Sequence, residues 1–381
     1  MAGPATAPAA GPPHGSARIT LVISALALGG AERVLTILSE EWLRTGRAVT
    51  VINFATPGEP AFYALDPGVT EVRLGGRRRS ANPFNAVTNN VRRILSLRRA
   101  IRASRPDVVI SFIHRTNVLT LAATLGSSVP VIVTEHTDPR DNEASRAWSM
   151  LRSLLYRRAA AVLVLTSGTV TAFPPAIRRR TVVMPNPAGR YLAGRTPAEL
   201  SAPMIVAIGR LSWEKGYDRL LRAFAQVAPA RLAWKLVIWG EGDGRPALEA
   251  LRAELGLDER VAFPGVTRTP LDELAGSSIL ALSSLREGFP MVIVEAFACG
   301  VPVVAFDCRS GPRELVQDGV NGRLIAIDDV AGLARALGEL MDDPAERRRL
   351  GANGPVAVEQ FGIDRVLSAW DKLFASIGGR R

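Results

Sequence analysis

The chain has 381 residues, 47% of them hydrophobic, which suits two globular domains with cores of their own and excludes a disordered or fibrous protein. Its formal net charge of +11 favours an anionic partner: a phosphorylated ligand, an acidic membrane surface or nucleic acid. Two cysteines and three histidines give no disulfide framework and no zinc spacing.

Residues 1–17, MAGPATAPAAGPPHGSA, lack both the basic start and the apolar run of a signal peptide and read as a disordered tail. No charge-free apolar run approaches the roughly 20 residues that span a bilayer, so the expected place is the cytoplasm, with peripheral membrane contact at most. Residues 18–24 (RITLVIS) form the first strand, followed by a loop ending in Gly29-Gly30 and a helix over 31–45. Paired glycines between strand and helix let backbone approach a ligand, or simply make a tight turn. The pattern is not GxGxxG, so a dinucleotide fingerprint is absent.

Strands are expected at 48–54 and 69–74, then a basic run at 75–80 containing Arg77, Arg78 and Arg79. In the helix over 83–104, Arg92, Arg93, Arg98, Arg99 and Arg102 alternate with Val91, Ile94, Leu95, Leu97 and Ile101, which makes it amphipathic with a basic face. That face is either ordinary solvated surface or a seat for anionic headgroups or a polyphosphate. The buried strand 107–113 ends at His114-Arg115-Thr116-Asn117, before a helix over 118–125, and the strand 130–134 ends at Glu135-His136. Two of three histidines at adjacent strand ends mark where open α/β sheets bind ligands. A helix over 145–158 and strands at 161–166 and 182–185 complete the first half.

Residues 188–203, rich in Pro and Gly, read as a linker. The second half opens on strand 204–208 and the loop GRLSWEKG, in which Arg210 and Lys215 flank a strand-to-helix turn. An arginine fork and a lysine point charge there suit a diphosphate. A P-loop is absent. Strand 234–239 leads into GEGDG, and the segment 261–266 (VAFPGV) follows. Then comes EGFPMVIVEAFACGVPVVAF, read as loop, short helix from Pro290 through Cys299, left-handed cap at Gly300 and buried strand 302–306. The helix start is an anion site, and Glu295, one turn above Met291, can accept two hydrogen bonds from a vicinal diol. Glu287, separated from it by seven residues, lies before the helix and can reach a sugar beyond the phosphates. A glutamate in so apolar a helix is costly unless it has partners. A strand at 321–325 and helices over 328–341 and 363–377 close the chain.

The pair Glu287 and Glu295, with Gly288, Phe289, Pro290, Ala296, Gly300, Pro302 and Val303, resembles the EX7E signature of retaining glycosyltransferases of family 4. GRLSWEKG resembles that family's phosphate loop, and GGAERVL at 29–35 its glycine loop, which faces the donor diphosphate. The resemblance implies the α/β GT-B fold: two Rossmann-like domains with parallel sheets facing a cleft. The expected domains are a tail 1–17, an acceptor domain 18–187, the linker 188–203 and a nucleotide-sugar domain 204–362, with helix 363–377 packing back on the first.

It further implies sugar transfer from a nucleotide-sugar, UDP-sugar by expectation, to an acceptor hydroxyl with retention. No cofactor or metal takes part; Arg210 and Lys215 steady the leaving diphosphate and Glu295 binds the ribose. Glu287 positions the sugar and His114 works at its reactive face, with His136 as the other candidate. Gly29, Gly30, Val266 beside the base, Phe289, Pro290, Met291 and Val292 complete the expected substrate site. The expected partners are a lipid-linked saccharide and an anionic membrane surface, and no nucleic-acid-binding motif is present. A GT-B nucleotide-sugar epimerase, a phosphorylase and a non-catalytic nucleotide-sugar-binding scaffold are the alternatives.

Overall fold

The apolar runs become strands buried on both faces, the condition under which parallel sheets are stable. A computed structural model describes residues 17–76, 83–141, 145–195 and 197–378. Their contacts gather into two units. Unit 1 comprises 1–135, 144–163 and 174–182; unit 2 comprises 136–143, 164–173 and 183–381.

The first sheet holds β1 (Arg18–Ile23), β2 (Ala48–Asn53), β3 (Thr70–Arg73), β4 (Val108–Phe112), β5 (Val131–Glu135), β6 (Ala161–Val164) and β7 (Thr181–Val183). Their order is β3-β2-β1-β4-β5-β6-β7. The second holds β8 (Met204–Ile208), β9 (Lys235–Trp239), β10 (Val261–Gly265), β11 (Ile279–Leu282), β12 (Val303–Phe306) and β13 (Gly322–Ile325), ordered β10-β9-β8-β11-β12-β13. The paired strands run parallel, β1 in register with both β2 and β4 and β8 with both β9 and β11. Each sheet therefore reverses its strand order once, between β1 and β4 and between β8 and β11, and such reversals open a crevice at the carboxyl ends of the strands. This is the GT-B arrangement of two parallel-sheet α/β domains.

In unit 1 the helices that bear on function are α1 (Gly30–Arg44), α2 (Pro83–Ser104), α3 (His114–Ala123) and α4 (Arg146–Leu155). Trp42, Leu35, Leu21 and Ile52 are buried in its core. In unit 2, Leu220, Phe224, Ile238, Phe306 and Leu337 form one apolar cluster with their neighbours. Among the described residues no helix is long and apolar enough to cross a membrane.

Two local expectations shift. His114 to Asn117 are the first turn of α3, not a loop ahead of it, because Asn117 N already donates to Ile113 O at 3.0 Å. Pro290 caps the helix Met291–Ala298 instead of occupying its first turn. Residues 136–143 and 164–173 and the helix Ile363–Gly378 group with unit 2.

Candidate functional site

The loop after β8 and the loop after β11 lie side by side because their strands are neighbours at the reversal point. Gly216 has φ 59 and passes Ser283 so closely that a Cβ there would sit 2.2 Å from the Ser283 carbonyl oxygen; only glycine fits. Ser283 Oγ donates to Lys215 O at 2.9 Å, and Leu285 N donates to Glu214 O at 2.8 Å. These contacts lay residues 212–216 along 283–287. The result is an ion pair between Lys215 Nζ and Glu287 Oε1 at 2.7 Å, with the side chains 22% and 10% exposed. Ser284 Oγ donates to the same carboxylate oxygen at 2.7 Å. Burial, and then the nearby charges of Glu287 and Glu214, push the Tyr217 phenol well up. Arg210 stands exposed at the start of this loop.

The helix Met291–Ala298 starts beside that pair. Gly288 is required by close approach: a Cβ there would lie 2.0 Å from the carbonyl oxygen of His136. Ser310 Oγ donates to Glu287 O at 2.7 Å and fixes the turn from the other side. Phe289 is buried edge-on against Phe361, with ring centroids 5.2 Å apart, so it anchors the loop. The helix ends in a Schellman pattern, Val301 N to Ala296 O at 2.8 Å and Gly300 N to Phe297 O at 3.0 Å. Glu295 is 2% exposed and accepts from Tyr191 Oη at 3.4 Å. Pro290 and Met291 are buried and Val292 half-buried, whereas Val266, just after β10, is 38% exposed.

In unit 1 the glycine loop ends at Gly29, the N-cap of α1, and Gly30, its first residue. The Glu32 carboxylate folds back over Gly29, where a Cβ would lie 2.3 Å from Oε2. A carboxylate there sits well with the positive helix end. Gly30 faces open space.

His114 opens α3 directly after Ile113, which has φ 71. Burial, with the charges of Arg115 and Arg152, brings the His114 imidazole down to about 4, so it is neutral at pH 7. His136 belongs to unit 2, and burial likewise lowers it to about 4.

The sequence reading passed over several polar anchors. Tyr191 lay in a stretch read only as linker. Ser284 and Ser310 are serines in loops, with no spacing to mark them. Glu314 accepts from the backbone of Ser167 and Gly168 at 3.0 and 3.2 Å, and Arg286 stacks over Trp213 with 4.5 Å to the ring centroid while donating to Asp141 O at 3.0 Å. The signal available for Arg286 was its place next to Glu287.

Residues 29–189 match the model of a glycosyl transferase 4-like domain and residues 195–356 that of glycosyl transferases group 1. A Campylobacter jejuni GalNAc-alpha-(1->4)-GalNAc-alpha-(1->3)-diNAcBac-PP-undecaprenol alpha-1,4-N-acetyl-D-galactosaminyltransferase is 28% identical, covering 94% of this chain and 99% of its own. A second C. jejuni protein, an N-acetylgalactosamine-N,N'-diacetylbacillosaminyl-diphospho-undecaprenol 4-alpha-N-acetylgalactosaminyltransferase, is 27% identical over 95% of this chain and all of its own. Among solved structures, Anabaena HepE in complex with UDP and glucose superposes with a TM-score of 0.79 at 21% identity, covering 94% of this chain and 100% of that one. Sucrose-phosphate synthase from Thermosynechococcus elongatus superposes at 0.82 with 19% identity, over 96% and 100%.

Proposed function

We propose, for a chain that belongs among the glycosyltransferases of the GT-B fold, transfer of a sugar from a UDP-sugar to a hydroxyl of a lipid-linked saccharide, with retention at the anomeric carbon. In this reaction the bond from the anomeric carbon to the diphosphate breaks, a glycosidic bond to the acceptor oxygen forms, and the hydroxyl proton passes to the departing diphosphate. The observation that carries the reading is the Lys215–Glu287 pair at the reversal point of the second sheet, beside the start of the helix Met291–Ala298.

Arg210 and Lys215, with the helix start, stabilise the charge that develops on the diphosphate. In our reading they take the place of a metal ion. Glu295 accepts from the ribose hydroxyls, and Glu287, steadied by Ser284, orients the donor sugar. Phe289, Pro290, Met291 and Val292 shape the turn that holds the diphosphate, and Val266 lies against the base. Gly29 and Gly30 let the backbone at the start of α1 approach a ligand. A neutral His114 can donate from one nitrogen and accept at the other, which suits a hydrogen-bond partner of the reacting sugar; His136 has the same charge state and is the second candidate.

The undecaprenol-linked substrates in the names of the C. jejuni relatives support a lipid-linked acceptor, and so a membrane face. Two helices of unit 1 suit one. On α2, Val87, Val91 and Leu95 are 63%, 49% and 47% exposed, so the upper part of its apolar stripe meets solvent, while Leu97 and Ile101 are buried. None of the residues of α4 is buried, and Met150 and Leu154 are 70% and 60% exposed. Exposed Arg92, Arg99, Arg102, Arg146, Arg157 and Arg158 accompany them. Apolar side chains among arginines suit the headgroup boundary of an anionic bilayer. Arg93 and Arg98 are otherwise engaged: Arg93 Nε donates to Gly76 O at 2.9 Å and Arg98 Nη1 to Leu125 O at 2.7 Å. Arg77, Arg78 and Arg79, also expected on this face, lie outside the described residues.

The test is a panel of nucleotide-sugars, read first by thermal stabilisation and then by release of nucleoside diphosphate with polyprenyl-linked acceptors. Stabilisation and turnover with a UDP-sugar support the reading. A protein that binds no nucleotide-sugar overturns it.

A further inference from the structure

The amino ends of β5, β6 and β7 frame a cavity of about 220 Å³ in unit 1. It lies at the other end of the sheet from the crevice where open α/β sheets take their ligands. Arg158 and Arg180 line it, with Thr124, Ser127, Ser128 and Pro130, and no carboxylate is among the lining residues. The volume falls below the roughly 300 Å³ at which pockets for drug-sized ligands begin, and far exceeds the roughly 10–15 Å³ that one water needs. The space suits a small molecule.

Segments 115–134, 144–163 and 174–182, which supply the cavity and its surroundings, contain arginines and no aspartate or glutamate. Arg158 and Arg180 are exposed, and neither pairs with a carboxylate among the described residues. Arg180 Nη1 makes one long bond, to Ala159 O at 3.4 Å. Helix α3 ends against the cavity with its negative pole, which opposes an anion. That pole is already answered, because Arg98 Nη1 donates to Ala123 O at 3.1 Å and to Leu125 O at 2.7 Å. The charge of Arg158 and Arg180 therefore prevails, and a concavity lined by one sign of charge focuses its field on the space inside.

Both side chains rise from fixed backbone. Arg158 closes the turn Tyr156–Arg158, which the fully buried Tyr156 anchors. Arg180 N donates to Ile177 O at 2.8 Å, and Arg180 O accepts from Val162 N at 2.9 Å where β6 and β7 begin to pair. An anion then has only side chains to order, which keeps the cost of binding low. Ser127 Oγ accepts from Val129 N at 3.2 Å, which leaves its own proton to donate.

We propose that this cavity binds a small soluble phosphate monoester. The two arginine forks take the phosphate oxygens, and the Ser127 and Ser128 hydroxyls take the hydroxyls of its sugar or polyol body. The site is separate from the transfer reaction proposed above and stands or falls independently of it.

The test titrates the full-length protein with ribose 5-phosphate by calorimetry at about 0.15 M salt, where surface charges are screened over about 8 Å. Ribose, inorganic phosphate and UDP are the comparison ligands. The expected result is saturable binding of ribose 5-phosphate that saturating UDP leaves unchanged, weaker binding of inorganic phosphate and none of ribose. Arg158→Gln and Arg180→Gln should each weaken it about tenfold or more, as loss of a charge-assisted hydrogen bond implies. Arg180→Lys, which keeps the charge and loses the fork, should recover part of the loss. Arg179→Gln, an exposed neighbour outside the cavity, should change nothing, and matching melting curves exclude a folding artefact. Absence of binding, equal weakening by Arg179→Gln, or displacement by UDP overturns the proposal. Inorganic phosphate bound as tightly as the ester overturns the monoester assignment. Displacement by phosphatidylcholine vesicles that contain phosphatidic acid, and not by phosphatidylcholine alone, would make the occupant a lipid headgroup and overturn the soluble one.

Discussion

Replacing Lys215 by alanine removes a charge from two places at once. In the resting protein it breaks the 2.7 Å pair with Glu287, whose side chain is only 10% exposed and keeps one partner, the Ser284 hydroxyl. A fully buried pair broken on one side costs about 3–5 kcal/mol; with Lys215 22% exposed, screening reduces this to about 1–2 kcal/mol. In the proposed reaction the same change would remove one preorganised cation from the leaving diphosphate, worth about 10²–10³ in rate. Arg210→Ala is the matched control, since Arg210 is exposed: it should lose rate by a similar factor with little loss of stability. The assay is steady-state release of nucleoside diphosphate, alongside urea unfolding of each variant. Glu287→Gln and the double variant complete a cycle. If the two residues act as a unit, the double variant should be little slower than the worse single one. Lys215→Ala turning over at near wild-type rate, whatever its stability, would refute the diphosphate role.

Chelation with EDTA should leave turnover unchanged if, as proposed, arginine, lysine and a helix start supply the positive charge; loss of activity restored by Mg²⁺ or Mn²⁺ would reverse this. Gly288→Ala should destabilise the protein by about 1–3 kcal/mol and slow turnover, since its Cβ meets the His136 carbonyl oxygen at 2.0 Å and neither backbone can swing away; an unfolding midpoint equal to wild type argues against it. Glu135 keeps its proton to about pH 7 when folded, against an ordinary 4.5, so its contribution to stability should be full below about 4.5 and fall as pH rises to about 7. Glu135→Gln should flatten that part of the stability–pH curve measured by denaturant, and an unchanged slope would show that the carboxyl is not the cause. Wild-type protein should bind anionic vesicles at low salt, and Arg92→Glu with Arg99→Glu, or Leu154→Ser, should weaken binding. Equal recovery of all variants with vesicles would leave the exposed faces of α2 and α4 as solvated surface.

Most of the candidate site in unit 2 was legible because its residues are contiguous. Glu287, the helix start and Glu295 fall within nine residues, and GRLSWEKG lies on one loop. The parallel sheets were legible because their strands are short apolar runs between helical stretches. What was not legible depends on packing. The stripe on α2 reads as one continuous apolar face, yet Val91 and Leu95 meet solvent because no described element covers that end. Arg93 and Arg98 read as part of a basic face, yet they donate to carbonyl groups at the ends of other segments. The start of α3 was placed four residues late because a strained Ile113 lets the helix begin at once, and no propensity anticipates that. The loops after β5 and β6 are sequence neighbours of unit 1 whose backbone contacts, such as that of His136 with Gly288, lie in unit 2.

Both sheets use the same strand order, so both open a crevice between their first and fourth strands, and the side chains there set the difference in chemistry. In unit 2 the cation at that place is already paired, Lys215 with Glu287. In unit 1 Arg152 acts on Glu135, which is buried, accepts from Tyr156 Oη and is pushed up to about 7. The consequence for the proposed reaction is an exchange of partners at Lys215. A diphosphate arriving at residues 210–215 competes with Glu287 for Lys215, and each gain in the Lys215–phosphate contact frees carboxylate lone pairs on Glu287 for the hydroxyls of the donor sugar. Diphosphate and sugar binding are then coupled through one ion pair, and the coupling is reciprocal. UDP alone should therefore strengthen the binding of a free sugar, and the enhancement should vanish in Glu287→Gln, where the amide no longer draws on Lys215. Sugar affinity that is the same with and without UDP in the wild-type protein would mean that the pair is a structural tie and not an exchange.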